Sequence, residues 1–294
     1  MKYFVYLFFF TITFFGCQSA DERDFQVPLE TTLFGEGQPI ATIRDKVLQE
    51  ASGLAVSRIN PDFLWTHNDS GDDARLYLIN LTGEVVMTVL LENTTAVDWE
   101  EMSIQTIDSI HYLLIGDIGD NEAKRNRITL HRIKEPRYNN QAQVIISSNE
   151  IESMTLQYAE GPRDAESFFY DEIDQEIVLI TKREKEVNVY SFSFSGEDKI
   201  VTIKSQGTIP WRNFTSADVL SNGDILIKNY ASIFYWIRSG TATQTILHQS
   251  PRRIPYIVEP QGEALAVDPK NGFYTLSEKN EHAEQQLFYY KHLD

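Results

Sequence analysis

Two short turns that combine acids with glycine are the first candidates for chemistry in this sequence. They read Asn68-Asp-Ser-Gly-Asp-Asp73 and Gly116-Asp-Ile-Gly-Asp-Asn121. Carboxylate and amide oxygens in such turns suit a hard divalent cation, above all Ca²⁺. Neither turn is an EF-hand loop, because that loop requires a Glu at its twelfth position. The turns therefore indicate a calcium site of another kind.

Five β-prone runs begin with a carboxylate close to their first residue. The runs are Glu50-Ala-Ser-Gly-Leu-Ala-Val, Trp99-Glu-Glu-Met-Ser-Ile, Asp164-Ala-Glu-Ser-Phe-Phe-Tyr-Asp, Ser216-Ala-Asp-Val-Leu-Ser and Gly262-Glu-Ala-Leu-Ala-Val-Asp. Their markers Glu50, Glu100, Glu166, Asp218 and Glu263 are spaced by 50, 66, 52 and 45 residues, although the alignment of Asp218 is open by a residue or two. These intervals are close to the length of a four-stranded propeller blade.

The remaining pattern is that of an all-β chain. Short runs of Val, Ile, Tyr, Phe and Trp alternate with Gly, Asn, Asp and Pro turns, and no long 3.6-residue apolar period occurs. The third interval contains four strands, which we predict at residues 165–171, 176–182, 187–194 and 199–209. The last interval has room for only three strands, so we expect residues 29–43 to supply the fourth strand and close the ring.

The predicted domain is therefore a β-propeller that occupies residues 28–294. It has five four-stranded blades in this interpretation. Six blades are the alternative if residues 143–158 form an extra pair of strands.

Propeller geometry brings distant acids together, because each innermost strand starts on the face where the second strand ends. The acids expected to bind Ca²⁺ at this mouth of the channel are Glu50, Asp69, Asp72, Glu100, Glu101, Asp117, Asp120, Glu166 and Glu263. The side chains expected to bind a ligand beside them are Lys182, Arg183, Lys228 and His67. The alternative is that the acids cap turns and pair with these cations, without a metal.

Composition narrows the classes of partner and chemistry. The chain has 294 residues, with 43 acids against 26 basic residues and a net charge of −17, which argues against nucleic acid as a ligand. A single cysteine excludes disulfides and zinc–cysteine clusters. The sequence contains no Gly-x-Ser-x-Gly, His-Glu-x-x-His, Gly-x-x-x-x-Gly-Lys or Gly-x-Gly-x-x-Gly motif.

The amino terminus is typical of a bacterial secretory signal over residues 1–16. Lys2 precedes an apolar stretch of about 13 residues, which is shorter than the ~20 needed to span a bilayer as a helix. Phe14-Phe15-Gly16-Cys17 is similar to a lipobox, so Cys17 is the expected site of lipid attachment. We expect residues 17–27 to form an acidic tether and the lipid to hold a monomer on the outer membrane of the cell envelope, with the membrane face left open.

The motifs together resemble a family of bacterial secreted β-propellers described as phytase-like or esterase-like. They are Glu50-Ala-Ser-Gly-Leu-Ala, Leu64-Trp-Thr-His-Asn-Asp-Ser-Gly, Asp98-Trp-Glu-Glu, Gly116-Asp-Ile-Gly-Asp-Asn, Arg163-Asp-Ala-Glu, Thr181-Lys-Arg-Glu and Gln261-Gly-Glu-Ala-Leu. The resemblance spans nearly the whole mature chain. The β-propeller phytases are similar in fold and in a calcium-lined acidic mouth, but their catalytic residues do not map onto this chain one by one.

Two functions follow as expectations. The first is a non-catalytic binding module whose acidic mouth is organised by Ca²⁺. The alternative is a metal-dependent hydrolase of phosphoesters, in which the ions activate water while Lys182, Arg183 and Lys228 hold substrate oxygens.

The lipid anchor gives the first testable prediction. Cys17→Ala removes the only thiol that could accept a lipid, so the variant should move from the membrane fraction to the soluble fraction. Mass spectrometry of the wild-type amino terminus is the direct check. Unchanged fractionation of the variant, together with an unmodified wild-type Cys17, would show that the prediction is wrong.

Overall fold

The computed structural model describes residues 21–196 and 199–293. The expected signal peptide at residues 1–16 and the expected lipidation site Cys17 lie outside the described residues. The strands are β1 (Gln38–Thr42), β2 (Ala51–Val56), β3 (Phe63–Asn68), β4 (Arg75–Asn80), β5 (Val85–Leu91), β6 (Trp99–Ile107), β7 (Ile110–Asp117), β8 (Ile128–Lys134), β9 (Gln143–Ile146), β10 (Ile151–Tyr158), β11 (Ala165–Asp171), β12 (Glu176–Thr181), β13 (Val187–Phe192), β14 (Ile200–Ile203), β15 (Gly207–Ile209), β16 (Phe214–Val219), β17 (Ile225–Asn229), β18 (Ile233–Trp236), β19 (Arg252–Ile254), β20 (Gly262–Val267), β21 (Phe273–Ser277) and β22 (Gln286–Tyr290).

Helix is scarce in the described part of the chain. One α-helix, α1 (Ala242–His248), lies between β18 and β19, and two short 3₁₀ turns occur at Asp24–Gln26 and Ser148–Glu150. Thr241 and Gln244 form a capping box at the start of α1, which explains where the helix begins. Within residues 21–196 and 199–293, no helix is long and apolar enough to cross a membrane.

The strands form five small sheets, which are the five blades of a β-propeller. In order from the channel outward, the sheets are β2-β3-β4-β5-β9, β6-β7-β8-β10-β14, β11-β12-β13-β15, β16-β17-β18-β19 and β20-β21-β22-β1. We call them the first to fifth blades. The predicted all-β propeller with five blades is confirmed, and the six-bladed alternative is not the observed fold.

The amino-terminal strand closes the ring as predicted. β1 pairs antiparallel with β22, and Phe34 forms a further bridge with His292. The described part of the expected tether also packs on the domain. Val27 is buried against the third and fourth blades, and the backbone of Pro28 and Glu30 bonds to Arg253.

The outer strands depart from the prediction at two places. Residues 143–158 do not add a blade, because β9 pairs parallel with β5 of the first blade and β10 pairs with β8 of the second. The run expected at residues 199–209 is split. Its first half, β14, pairs parallel with β10, and its second half, β15, completes the third blade. The chain thus exchanges short edge strands between neighbouring blades, which covers their exposed edges.

Local turn chemistry explains the tight hairpin of the second blade. Asp108 and Ser109 connect β6 to β7, and both have positive φ angles, of 49° and 64°. Two consecutive positive φ angles match the twist of the flanking strands, as in two-residue hairpins generally.

The apolar core is divided among the gaps between neighbouring blades. Buried side chains of the described residues form five clusters, one for each gap, including the gap between the fifth and first blades. Trp65 and Trp99 pack between the first and second blades, for example, while Leu64 and Leu276 pack between the first and the fifth. Because each blade is covered on both faces, its strands are apolar on both faces.

Ring closure predicts an unequal response to two substitutions in the same segment. Phe34 is 1% exposed and packs edge-on against Phe273, with 5.1 Å between ring centroids, whereas Phe25 is 55% exposed. Phe34→Ala should lower the free energy of unfolding by about 3–5 kcal/mol because it leaves a cavity. Phe25→Ala, the matched control, should change it by about 0.5 kcal/mol or less. Urea denaturation measures both, and equal effects would contradict this role of the segment.

Candidate metal centre

A bulge near the start of each innermost strand sets the geometry at one end of the channel. The extra residues at these five bulges are Gly53, Glu100, Glu166, Thr215 and Glu263. A bulge re-aims the side chain of its extra residue. The carboxylates of the second, third and fifth blades therefore come from equivalent positions.

Two groups of three carboxylates lie at this end and share one member. Asp69, Asp98 and Glu100 form one group, and Glu100, Asp164 and Glu166 form the other, with one oxygen from each residue within 4.8 Å of the others in its group. Asp69 follows β3, Asp98 precedes β6, and Asp164 precedes β11, so the first three blades contribute. With Glu263 of the fifth blade, we call this set of six acids the acidic mouth.

Glu100 is the central residue of the acidic mouth. It is 4% exposed, and its Oε1 has no hydrogen-bond partner. Burial, followed by repulsion from Asp69, raises the pKa of this carboxyl well above its usual range, and the nearby Lys182 only partly opposes the rise. Gly119 passes so close to Glu100 and Asp98 that a Cβ would collide with both carboxylates.

Other acids of this region respond in the same direction. Burial and the neighbouring Asp98 raise the pKa of Asp69 to about 7. Burial, Glu263 and Asp69 raise the pKa of Glu278 to about 8. The buried acids thus favour uptake of protons or of a cation, and the chemistry of the donors fits a hard metal ion.

Lys182 and Tyr230 connect two walls of the acidic mouth. Lys182 Nζ forms a buried ion pair with Glu166 and donates to the Tyr230 hydroxyl at 2.9 Å. The Tyr230 hydroxyl donates to Glu263 Oε1 at 2.7 Å, while Glu263 Oε2 has no partner. This network satisfies part of the buried charge and leaves oxygens of Glu100 and Glu263 available.

Asp164 is held by the second and third blades. Its Oδ1 accepts from the backbone N–H of Asp120 at 2.9 Å, and its Oδ2 accepts from Arg183 Nε. Arg183 also donates to Asn121, so it fixes the rim of the mouth rather than pointing freely into solvent.

Several predicted metal ligands have other partners. Asp72 accepts from Asn68 and Tyr77, each at 2.7 Å, as part of its turn. Asp117 accepts from the backbone of Val97 at 3.1 Å and pairs with Arg125 at 2.6 Å.

Asp120 and Glu101 also bond within the protein. Asp120 accepts from the Arg125 backbone at 2.6 Å. Glu101 extends across the channel, where Ser216 Oγ donates at 2.5 Å and the Ala217 backbone at 3.0 Å. Glu50 is exposed.

The marker Asp218 lies at the opposite end of the channel. It lines a pocket of about 110 Å³ together with later residues of all five innermost strands, such as Val56 and Val267. The equivalent of Glu100 in the fourth blade is Thr215, three residues before the marker.

His67 and Lys228 lie beneath the mouth. Both are 0% exposed. Burial lowers the pKa of His67 to about 4, so its ring is neutral at physiological pH. Lys228 Nζ donates to the carbonyl of Gly262 and lies over the Tyr256 ring. Among the four predicted ligand-binding residues, only Lys182 and Arg183 contact the acidic mouth.

Asp98 and Asp164 are the members of the carboxylate groups that the predicted ligand set lacked. Each stands two residues before a bulge Glu, and this repeated spacing is visible in the sequence. Tyr230, the hydroxyl that bridges Lys182 and Glu263, has no such signal.

Comparisons with known proteins support the fold. No family model matches the sequence, and no curated protein matches it. The allergen Mala s 1 of Malassezia sympodialis is 7% identical, with a TM-score of 0.52 and coverage of 88% of this chain and 96% of that chain. The PQQ-bound aldose sugar dehydrogenase of Streptomyces coelicolor is 8% identical, with a TM-score of 0.49 and coverage of 87% and 98%. The glutaminyl cyclase of Myxococcus xanthus is 11% identical, with a TM-score of 0.48 and coverage of 90% and 98%. Likeness at these identities concerns the fold alone.

The buried ion pair predicts a large difference between two lysines. Lys182→Met leaves Glu166 buried without its partner, so the free energy of unfolding should fall by about 3–5 kcal/mol. Lys124→Met is the matched control, since Lys124 pairs with Glu122 on the surface, where both side chains are more than 70% exposed. The control should show no measurable change. Chemical denaturation in EDTA tests this, and a small effect of Lys182→Met would contradict the assignment of the pair.

Proposed function

We propose that the protein is a membrane-tethered β-propeller whose acidic mouth binds Ca²⁺ and, once loaded, binds a ligand. The observation that carries the proposal is the unpartnered Oε1 of Glu100, a buried atom shared by two groups of carboxylates. A buried carboxylate without a donor is costly, and a cation would remove that cost.

Charge and donor chemistry favour a divalent ion over further salt bridges. Six acids form the mouth, whereas Lys182 and Arg183 are the cations paired with them. All available donors are oxygens, which is the set that Ca²⁺ prefers, with six to eight ligands in a flexible geometry. Three side chains in a group leave coordination positions for water or for oxygens of a bound ligand. A ligand with carboxylate, phosphate or sugar hydroxyl groups suits those positions.

The tethered state is a separate part of the proposal, and it rests on the lipobox-like sequence before Cys17. The described residues 21–27 pack on the domain, so an anchor at Cys17 would hold the propeller close to the membrane. The membrane fractionation of Cys17→Ala tests this part independently of the metal site.

One observation favours the phosphoesterase as a second candidate. Because the two carboxylate groups share Glu100, two ions bound there would lie side by side, as in two-metal phosphoester hydrolases. The phytase-like resemblance of the sequence motifs agrees with this reaction. The cations are less favourable, since Lys182 is bound by Glu166 and Lys228 lies beneath the mouth. Hydrolysis of a panel of phosphoesters, stimulated by Ca²⁺ and abolished by Glu100→Gln, would select this candidate over the binding module.

Calcium dependence of stability is the decisive test of the metal site. Binding to the folded state alone stabilises it by about 2.7 kcal/mol when the ligand is at a hundredfold excess over its Kd. Millimolar Ca²⁺ should therefore raise the Tm, and EDTA should reverse the increase. Glu100→Gln should weaken the response strongly because it removes the shared ligand.

Asp72→Asn is the matched control for this experiment. Asp72 lies in an acidic turn near the mouth but bonds to Asn68 and Tyr77. Its substitution should leave the Ca²⁺-induced increase in Tm unchanged, even if the starting Tm falls. A wild-type protein whose Tm does not respond to Ca²⁺ would overturn both the binding module and the metal-dependent hydrolase.

A further inference from the structure

A pocket of about 300 Å³ lies beside the fifth blade, away from the two carboxylate groups. One wall comes from the segment between β19 and β20, with Val258, Glu259 and Pro260. The other comes from the end of the segment between β21 and β22, with Ala283 and Glu284, and from β22 itself. The volume is at the lower end of the range for small-molecule sites.

Glu259 is the unusual residue of this pocket. It is 5% exposed, and neither of its carboxylate oxygens has a hydrogen-bond partner. The hydroxyls of Thr275 and Tyr256 and the ammonium of Lys228 are close enough to oppose the effect of burial, but none reaches hydrogen-bonding geometry with it. Burial raises the pKa of this carboxyl to about 7. Two buried acceptor oxygens without donors are a strong signal for a ligand that supplies donors.

Lys228 does not supply the missing donor, because it is engaged elsewhere. Its Nζ donates to the carbonyl of Gly262 and lies 5.2 Å from the centre of the Tyr256 ring. Tyr256 therefore helps to hold the lysine in place beside Glu259.

The lining of the pocket indicates the chemical class of the ligand. No basic side chain is among the lining residues, and the exposed Glu284 adds a second carboxylate at the rim. Pro260 and Phe288 form apolar surface, and the side chain of Val258, which is 61% exposed, offers more at the edge. An anionic ligand would be repelled by the two acids, whereas an ammonium group would satisfy Glu259.

We propose that this pocket is a second binding site, which takes a small primary ammonium compound with a short apolar body. The ammonium group donates to Glu259, and the apolar body packs on Val258, Pro260 and Phe288. The site is independent of Ca²⁺ at the acidic mouth, because no carboxylate of the two metal-binding groups lines it.

An NMR titration of the full chain with n-butylammonium tests the proposal, with n-butanol as the neutral comparison. The Val258 methyl signals should shift with the amine and much less with the alcohol. Glu259→Gln should weaken binding of the amine by about tenfold or more, the effect of losing one charge-assisted hydrogen bond. Glu284→Gln is the matched control at the rim, and it should weaken binding by about threefold or less.

A second variant keeps the test valid if Glu259→Gln does not fold. Ala283→Leu leaves Glu259 intact and fills the pocket, so it should abolish binding of the amine. Glu100→Gln reports on the other possible location, since the amine could collect at the acidic mouth. The proposal is overturned if wild-type protein does not bind the amine, if Ala283→Leu binds it normally, or if Glu100→Gln rather than Glu259→Gln weakens binding.

Discussion

Crowding of carboxylates around Glu100 is the constraint to which the rest of the mouth is fitted. Like charges in a small buried volume repel, and each loses hydration that the protein must replace. The structure replaces part of it with cations and hydroxyls, since Lys182 reaches Glu166 and Tyr230 while Arg183 reaches Asp164. It also uses backbone, because Gly119 permits an approach that any side chain would block. Glu100 Oε1 is left without a partner after these interactions, which makes the cluster a metal centre rather than a closed salt-bridge network.

Ring closure makes this crowding possible. The acids come from four of the five blades, so their separation depends on the angle between sheets that have few contacts at the mouth itself. The apolar clusters between blades and the pairing of β1 with β22 hold that angle. A cation at the mouth would in turn connect blades at the end of the channel where their carboxylates oppose closure. Metal binding and ring stability are therefore coupled, although the metal ligands and the closing strand are far apart in sequence.

The sequence predicted the ring and the centre of the site, because both repeat. The marker spacing gave five blades, the missing last strand pointed to residues 29–43, and the recurrent acids included Asp69, Glu100 and Glu166. What failed to repeat could not be predicted. The edge strands β9 and β14 join the preceding blade, and that choice depends on which edge lies nearest in space. Asp72 has the same chemistry as Asp69, yet a nearby tyrosine and asparagine engage it. Glu101 follows Glu100 but lies after the bulge, so its side chain takes a different direction, toward Ser216.

The docked amino-terminal segment has a consequence for orientation. Asp24 accepts a hydrogen bond from Asn229, the last residue of β17, and Arg23 donates to the carbonyl of Lys185, just after β12. Both contacts lie on the face of the ring that carries the acidic mouth. Cys17 precedes Asp21 by four residues, and four residues of extended chain span at most about 14 Å. In a chain lipidated at Cys17, the mouth would therefore face the bilayer, and ligands would reach it through the narrow layer between protein and headgroups.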